Sequence, residues 1–366
     1  MEQDKLEQDK STADGAELAS PGLDRPFSLA AYDHVPDALL DVPAPELWRH
    51  LPGPTLFNLP GRQTGTLFLS VLLHGNEDTG WRAIQTVLKR ARGRPLPRSI
   101  LLFVGNVAAA KAGVRTRPGQ HDYNRAWPGT ADPRTPEAAV MRDVVAVAQR
   151  TALFASIDIH NNTGNNPHYA CVNSCDDDHL QLARLFGRTV VYFEEPVGVQ
   201  SAALARLCPA ITVECGRPGI EAGVAHAVEL IEAALALQHF PDHPIGEADI
   251  DLMRTFAIVK VPADATLSYD GSDADFRFRP DLDHLNFAEL EAGVSFGTHA
   301  GRRLDVIAAD DAATDYFDYS DGEIRLAQDA IPAMLTCDPN AVRLDCLGYL
   351  MHRIGRDGRR LAAMRR

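Results

Sequence analysis

Short apolar runs that alternate with helix-like segments fill the sequence between about residues 54 and 239. Such runs, with few polar positions, are typical of strands that are buried on both faces of a sheet. Strands that alternate with helices build a sheet with crossover helices, because parallel neighbours need a long connection. The pattern therefore predicts an α/β fold whose buried strands are residues 67–73, 100–104, 155–159, 190–193 and 210–213.

Capping residues mark where the helices are expected to begin. Thr135 precedes Pro136 and Glu137, which is the order of an N-cap residue, a first-turn proline and an early acidic residue. Asp176 is expected to cap a second helix in the same way. Residues 220–239 fit a long third helix that ends before a proline.

The alternation stops after Pro244. Residues 256–261 are strand-like and are followed by short segments broken by Gly and Asp, so residues 246–366 are expected to form a smaller, β-rich domain. A chain of 366 residues exceeds the usual size of a single core, which agrees with two domains. We assign the main domain to residues 26–245. The polar, acidic residues 1–25 are expected to form a disordered tail.

Composition limits the partners and the compartment. The formal net charge of −14 disfavours nucleic acid and anionic membranes as partners. No apolar stretch is long enough to span a membrane, and the N-terminal residues lack the apolar core of a signal peptide. A cytoplasmic location is therefore expected, where thiols stay reduced. No cysteine pair has the spacing of a zinc knuckle, so free thiols are expected at Cys171, Cys175, Cys208, Cys215, Cys337 and Cys346.

Residue types that bind metals follow two of the expected strands. His74 directly follows residues 67–73, Glu77 comes three positions later, and His160 follows residues 155–159. Imidazole nitrogen and carboxylate oxygen are zinc ligands, and a short spacer lets one loop present both. If the strands are neighbours, their carboxyl ends bring the three side chains together. Taken singly, the His74 loop also fits a turn with a helix-capping role, and His160 fits a hydrogen-bonded core histidine.

Glu214 and the polar loop of residues 115–125 add further candidates. Glu214 ends residues 210–213, and an unpaired carboxylate is expensive to bury there, so a partner such as a metal-bound water is expected. Taken singly, Glu214 also fits a structural ion pair. The arginines of the loop suit a substrate carboxylate or a developing oxyanion. The alternative is a solvated basic loop.

Four segments in chain order carry a family resemblance: His74-Gly75-Asn76-Glu77, Asp122-Tyr123-Asn124-Arg125, Asp158-Ile159-His160-Asn161-Asn162 and Val213-Glu214-Cys215-Gly216. Together they resemble the zinc-dependent metallocarboxypeptidase superfamily, and most closely its succinylglutamate desuccinylase/aspartoacylase branch. The ordered set is far more specific than any one segment. The resemblance covers about residues 67–216 and implies a mixed sheet flanked by helices, as in zinc carboxypeptidases.

The resemblance also implies roles for the catalytic residues. His74, Glu77 and His160 match the zinc ligands, and Glu214 matches the general base that later acts as an acid. Arg117 stands eight residues before Arg125, as the carbonyl-polarising arginine of the family does.

Substrate-binding residues are implied in part. Asn124 and Arg125 match the pair that binds a substrate carboxylate, and Asp122 matches a residue that orients a ligand histidine. Aspartoacylases carry a further arginine shortly before the catalytic glutamate; here only Arg206 is available, in a different register, which argues against N-acetylaspartate and succinylglutamate themselves. The family also uses a tyrosine from its second domain, for which the candidates are Tyr269, Tyr316, Tyr319 and Tyr349.

The sequence thus predicts a Zn²⁺-dependent hydrolase that cleaves the amide bond of a small, carboxylate-bearing N-acyl amino acid. A metallocarboxypeptidase that acts on peptides is the alternative enzyme, because it uses the same machinery. A catalytically silent, metal-binding scaffold is the alternative outside enzymes. Homo-oligomerisation, the acyl group and the amino acid stay open.

Overall fold

The computed structural model describes residues 28–308, 315–355 and 358–361. The predicted tail, residues 1–25, lies outside the described residues. Within the described residues the strands are β1 Ala30–Tyr32, β2 Thr55–Leu59, β3 Gly61–Val71, β4 Leu96–Val104, β5 Leu153–His160, β6 Tyr169–Val172, β7 Thr189–Tyr192, β8 Ala210–Glu214, β9 Asp251–Lys260, β10 Leu267–Ser268, β11 Phe276–Phe278, β12 Ser295–His299, β13 Asp305–Ala308, β14 Phe317–Asp318, β15 Glu323–Leu326, β16 Ile331–Ala333 and β17 Gly348–Arg353.

The helices in the same residues are α1 Thr79–Ala91, α2 Val107–Ala112, α3 Pro136–Gln149, α4 Asp177–Phe186, α5 Gln200–Leu204, α6 Glu221–Ala236 and α7 Pro339–Leu344. The predicted caps are confirmed: the Thr135 side chain accepts a hydrogen bond from the nitrogen of Ala138, and Asp176 accepts one from that of His179. The predicted long third helix is α6, which is shorter than residues 220–239. None of the helices in the described part of the chain is both long and apolar enough to cross a membrane.

A large mixed sheet forms the centre of the protein, as predicted. Its strand order is β1-β2-β4-β3-β5-β8-β6-β7-β9-β17-β16, and β13 pairs with β9. The strands β4, β3, β5 and β8 run parallel to one another, whereas β6 runs antiparallel to β8. Each of the five predicted apolar runs overlaps one strand of this sheet, although residues 72–73 extend past the end of β3 and residue 193 past the end of β7. The carboxyl ends of the parallel strands β3, β5 and β8 meet at one edge.

Alternating side chains of the central strands pack on opposite faces of the sheet. On β3, Leu67 and Leu69 belong to the same apolar cluster as Trp81 of α1, whereas Phe68 lies in a second cluster with Met141 of α3. Burial on both faces explains why these strands are continuous apolar runs.

The C-terminal region is β-rich, as predicted, and contributes to two sheets. A smaller sheet has the order β10-β11-β12-β15-β14, and its core contains Phe276, Phe278, Phe296 and Phe317. The strands β9, β13, β16 and β17 join the large sheet instead. The region therefore extends the large sheet at one edge, while the domain boundary at residue 245 stays a prediction.

Candidate active site

A sharp turn after β3 carries the first two candidate ligands. Leu72, directly after the strand, has a positive φ of 57°, which turns the chain towards His74 and Glu77. The loop packs against the middle of α2, where a Cβ on Gly75 would lie 2.1 Å from the nitrogen of Ala110. Only glycine fits this close approach of two backbones, which fixes the position of the loop.

His74, Glu77 and His160 meet at the carboxyl edge of the sheet. Their potential ligand atoms all lie within 4.8 Å of one another, and all three side chains are buried. The Glu77 carboxylate lies between the two rings, with Oε1 2.9 Å from Nδ1 of His74 and Oε2 2.8 Å from Nδ1 of His160. The structure therefore brings together the three residues that the sequence pointed to as metal ligands.

Two further carboxylates contact the histidines at Nε2, on the side of each ring away from Glu77. Nε2 of His74 lies 3.0 Å from Oδ1 of Asp122, and Nε2 of His160 lies 2.8 Å from Oδ2 of Asp158. Asp158 is itself fixed, because Ser70 on the neighbouring strand donates to its Oδ1 at 2.5 Å. A carboxylate on Nε2 orients each ring so that Nδ1 faces Glu77, which is the arrangement of many metal-binding histidines.

The electrostatics of this cluster suit a bound cation. Burial and the Arg115 charge lower the pKa of His74, but Glu77 and Asp122 outweigh them and raise it. Burial likewise lowers the pKa of His160, and Asp158 and Glu77 raise it well above the usual value. Each histidine thus has a carboxylate oxygen beside both of its ring nitrogens. The negative charge of these carboxylates favours a cation bound at Nδ1. A divalent ion at this place fits the donor set and the surrounding charge.

Glu214 lies at the end of β8, beside the candidate metal ligands His74, Glu77 and His160, which we call the metal-binding group. Its register partner on β5 is His160, and its carboxylate is buried. The amide of Asn162 donates to its Oε2 at 3.3 Å. Burial, with a smaller contribution from Glu77, raises the pKa of Glu214 to about 7 against the opposing effect of His160. A carboxylate with this pKa can both accept and return a proton near neutral pH.

Arg115 and Arg125 reach the site, but Arg117 does not. Nη2 of Arg115 lies 3.0 Å from Oδ2 of Asp122, and the Arg125 side chain donates to the backbone oxygen of Asn124 at 2.8 Å. Arg117 is exposed, because a turn closed by the hydrogen bond from Gln120 to the Arg117 carbonyl places it on the surface. The sequence spacing predicts Arg117 as the carbonyl-polarising arginine, whereas the fold places Arg115 in the cavity.

Asn124 connects the site to the neighbouring helix. The residue is buried, and its side-chain oxygen accepts a hydrogen bond of 3.0 Å from the nitrogen of Gln200 at the start of α5. Its Nδ2 lies 3.3 Å from Nε2 of His160. Asn124 therefore lies against the metal-binding group, next to Arg125.

A cavity opens over these residues and is lined by both polar and apolar side chains. The polar and charged residues that line it include His74, Glu77, Arg115, Asn124, Arg125, His160, Glu214 and Asp345. The apolar and aromatic residues that line it include Tyr169, Val191, Phe193, Val199, Met334 and Met351.

Tyr349 is the candidate tyrosine that lines the cavity. Tyr269 instead donates to the Thr336 carbonyl, and Tyr316 and Tyr319 pack against the core of the smaller sheet. Arg206 is exposed and is not among the described residues that line the cavity. Tyr169 and Asp345 also line the cavity, and neither could be predicted from the sequence because neither belongs to a motif.

Comparison with known proteins identifies a family. A model of the succinylglutamate desuccinylase/aspartoacylase catalytic domain matches residues 63–243. A search of curated proteins gives no match. Among solved structures, succinylglutamate desuccinylase from Chromobacterium violaceum is similar at 18% identity and a TM-score of 0.54, covering 81% of this chain and 86% of that one. Murine aminoacylase 3 is similar at 17% identity and a TM-score of 0.53, covering 80% and 95%. At these identities the two structures support the fold.

Proposed function

Because residues 63–243 belong to the succinylglutamate desuccinylase/aspartoacylase family of the zinc carboxypeptidase-like branch, we propose that the protein is a zinc-dependent deacylase. Its reaction is hydrolysis of the amide bond of a small, carboxylate-bearing N-acyl amino acid. The observation that carries this proposal is the placement of buried Glu214 next to the His74, Glu77 and His160 group, inside one cavity.

His74, Glu77 and His160 would hold the zinc ion. Two nitrogens and one carboxylate make a ligand set that leaves a position open, as in catalytic zinc sites. Zinc bound there supplies a Lewis acid that polarises the substrate carbonyl and lowers the pKa of water. Asp122 and Asp158 keep the two rings oriented during the reaction.

Glu214 moves the proton in this mechanism. Its carboxylate takes a proton from the attacking water and returns it to the nitrogen of the leaving amine, which completes the cleavage of the amide bond. Its pKa of about 7 supports both steps, because the group is neither a very weak base nor a very weak acid near neutral pH.

Two arginines bind the developing and the permanent negative charge of the substrate. Nη1 of Arg115 lies 3.7 Å from Oε1 of Glu77, so its guanidinium is placed to stabilise an oxyanion at the reacting carbonyl. This role falls to Arg115 because Arg117 is exposed. Arg125, together with Asn124, binds a substrate carboxylate. Arg125 does so through the guanidinium N–H groups that are not already hydrogen-bonded to the protein.

The shape of the cavity favours small substrates. The C-terminal region lines the cavity with Ala333, Met334, Tyr349 and Met351. The apolar side chains of the lining suit the hydrocarbon part of an acyl amino acid. A peptide needs an open groove beyond the scissile bond, and these C-terminal residues narrow the space, which favours a deacylase over a carboxypeptidase.

The direct test is a substrate screen with metal-free and zinc-loaded protein. We expect release of free amine from N-acyl amino acids only by the zinc-loaded form, and loss of activity on chelation. Cleavage of C-terminal peptide bonds without deacylation would favour the carboxypeptidase. Zinc binding without hydrolysis of either class would favour a silent scaffold.

A further inference from the structure

The cavity contains a carboxylate that the proposed reaction does not use. Asp345 follows α7 directly, and its backbone, with φ of −139° and ψ of −85°, turns away from the helix. Its Oδ1 accepts a hydrogen bond of 2.9 Å from Nη2 of Arg125, and its Oδ2 lies 3.3 Å from Nη2 of Arg115. Asp345 thus contacts both of the arginines to which we assign substrate binding.

Apart from Glu77, which we assign to the metal site, the formal charges around the two arginines balance before any substrate binds. Arg115 and Arg125 face Asp122 and Asp345, which gives two positive and two negative groups. Among the described residues that line the cavity, these two arginines carry the only Lys or Arg side chains. Burial raises the pKa of Asp345, but Arg125 and then Arg115 outweigh it, so the carboxylate stays ionised.

The Asp345 carboxylate is also accessible to a ligand. It lines the cavity, and 22% of its side-chain surface remains exposed. When a substrate carboxylate binds to Arg125, the cluster gains one net negative charge. A second negative group of the substrate is then repelled, whereas a positive group finds a partner in Asp345.

We propose that Asp345 is a specificity-determining residue that selects N-acyl amino acids with a basic or neutral side chain against those with an acidic one. This inference rests on the proposed deacylase function. It agrees with the exposure of Arg206, because among the described residues no third Lys or Arg side chain lines the cavity to bind a second substrate carboxylate.

The test compares three substrates of similar length whose side chains differ in charge: N-acetylglutamate, N-acetylglutamine and Nα-acetylornithine. For the wild type we expect kcat/KM to be highest for the ornithine compound and lowest for the glutamate compound. The Asp345→Asn change keeps the shape but removes the charge, so the ornithine-to-glutamate ratio should fall by about tenfold or more. An unchanged ratio would overturn the assignment.

Two further variants separate charge from stability. Asp338→Asn, at the other end of α7, keeps a side chain able to cap the helix and should leave the ratio unchanged. Asp345→Glu keeps the charge and should preserve the order of the three substrates, even if the rates fall. Thermal unfolding of each variant shows whether a lower kcat/KM arises from misfolding. Reversal of the order by Asp345→Glu would contradict the proposal.

A binding measurement with the free amino acids tests the role of Asp345 without requiring that the protein hydrolyse any substrate. Dissociation constants of glutamate, glutamine and ornithine for the zinc-loaded wild type should follow the same order, and Asp345→Asn should weaken the preference. If no acyl compound is hydrolysed but this pattern holds, the deacylase proposal fails and the role of Asp345 survives. Equal constants for the three amino acids, or no binding of any, would overturn the role of Asp345.

Discussion

At the scale of single residues, the carboxylates around the metal-binding group make different contacts. Glu77 lies between the two imidazole rings, whereas Asp122 and Asp158 contact their outer nitrogens. Asp122 also contacts Arg115, so one carboxylate connects the metal-binding group to the substrate-facing arginines. A change at Arg115 is therefore expected to act on catalysis, through the charge at the reacting carbonyl.

Arg115 and Arg117 form a matched pair of variants, because they lie two residues apart and differ in location. We expect Arg115→Gln to lower kcat/KM by about 10²–10³-fold, the usual loss for one oxyanion-stabilising group. Arg117→Gln should leave kcat/KM near the wild-type value, since the side chain is exposed. Steady-state kinetics at constant zinc content decide the matter. A large loss from Arg117→Gln alone would return the role to the residue selected by sequence spacing.

His168 supports a prediction about stability and pH. Its Nδ1 lies 2.8 Å from Nδ1 of His226, whose Nε2 donates to the Phe186 carbonyl. Burial, and then the repulsion between two positively charged rings when His226 is also protonated, lower the pKa of His168. The folded state therefore favours neutral His168, and its contribution to stability is full above the ordinary histidine pKa and is lost as the pH falls.

The variant for this prediction is His168→Phe, which keeps the ring stacked on Phe186 and His226. Between pH 7 and 5 the free energy of unfolding should fall less steeply in the variant than in the wild type. The difference in slope should stay well under about 1.4 kcal/mol per pH unit, because the side chain is only partly buried. Denaturant titrations across this range measure it, and identical slopes would contradict the assignment.

At the scale of elements, three parallel strands create the site. β3, β5 and β8 end at one edge of the sheet, and the register of β5 with β8 pairs His160 with Glu214. The turn after β3 then places His74 and Glu77 over the same edge. The precision of this turn depends on its contact with α2, where the chain needs a glycine.

Gly75→Ala tests that contact. The new Cβ would meet the nitrogen of Ala110 at 2.1 Å, so the loop or α2 has to shift. We expect a loss of about 1–3 kcal/mol in the free energy of unfolding, together with weaker zinc binding. Gly113→Ala is the control for added bulk, since a Cβ there meets nothing within 4 Å, although its positive φ of 63° adds some strain. Equal zinc affinity in wild type and Gly75→Ala would contradict the role of the turn.

Local signals explain which elements the sequence predicts. The central strands are buried on both faces, so their apolar runs are visible in the sequence, and Thr135 and Asp176 cap helices through contacts only three residues away. The return of β9 and β17 to the large sheet depends on long-range pairing, which leaves no periodic signal. The contact of Asp345 with Arg125 spans 220 residues and follows from the same pairing.

At the scale of the whole molecule, the C-terminal region contributes to the lining of the cavity. β16 and β17 pair at the edge of the large sheet, and their residues Ala333, Tyr349 and Met351 line the cavity. Asp345, just before β17, contributes charge to the same cavity. In the function that we propose, the N-terminal part of the chain supplies the reacting groups, and the C-terminal part supplies the selectivity.

Zinc content and kcat, measured on the same preparations of wild type and Glu214→Gln, test the central claim most directly. The amide keeps the size of the side chain but cannot accept a proton from water. We expect about one zinc ion per chain in both proteins, bound by His74, Glu77 and His160, and a fall in kcat of about 10²–10⁴-fold in the variant. Near-normal kcat in a Glu214→Gln protein that still holds its zinc would contradict the account.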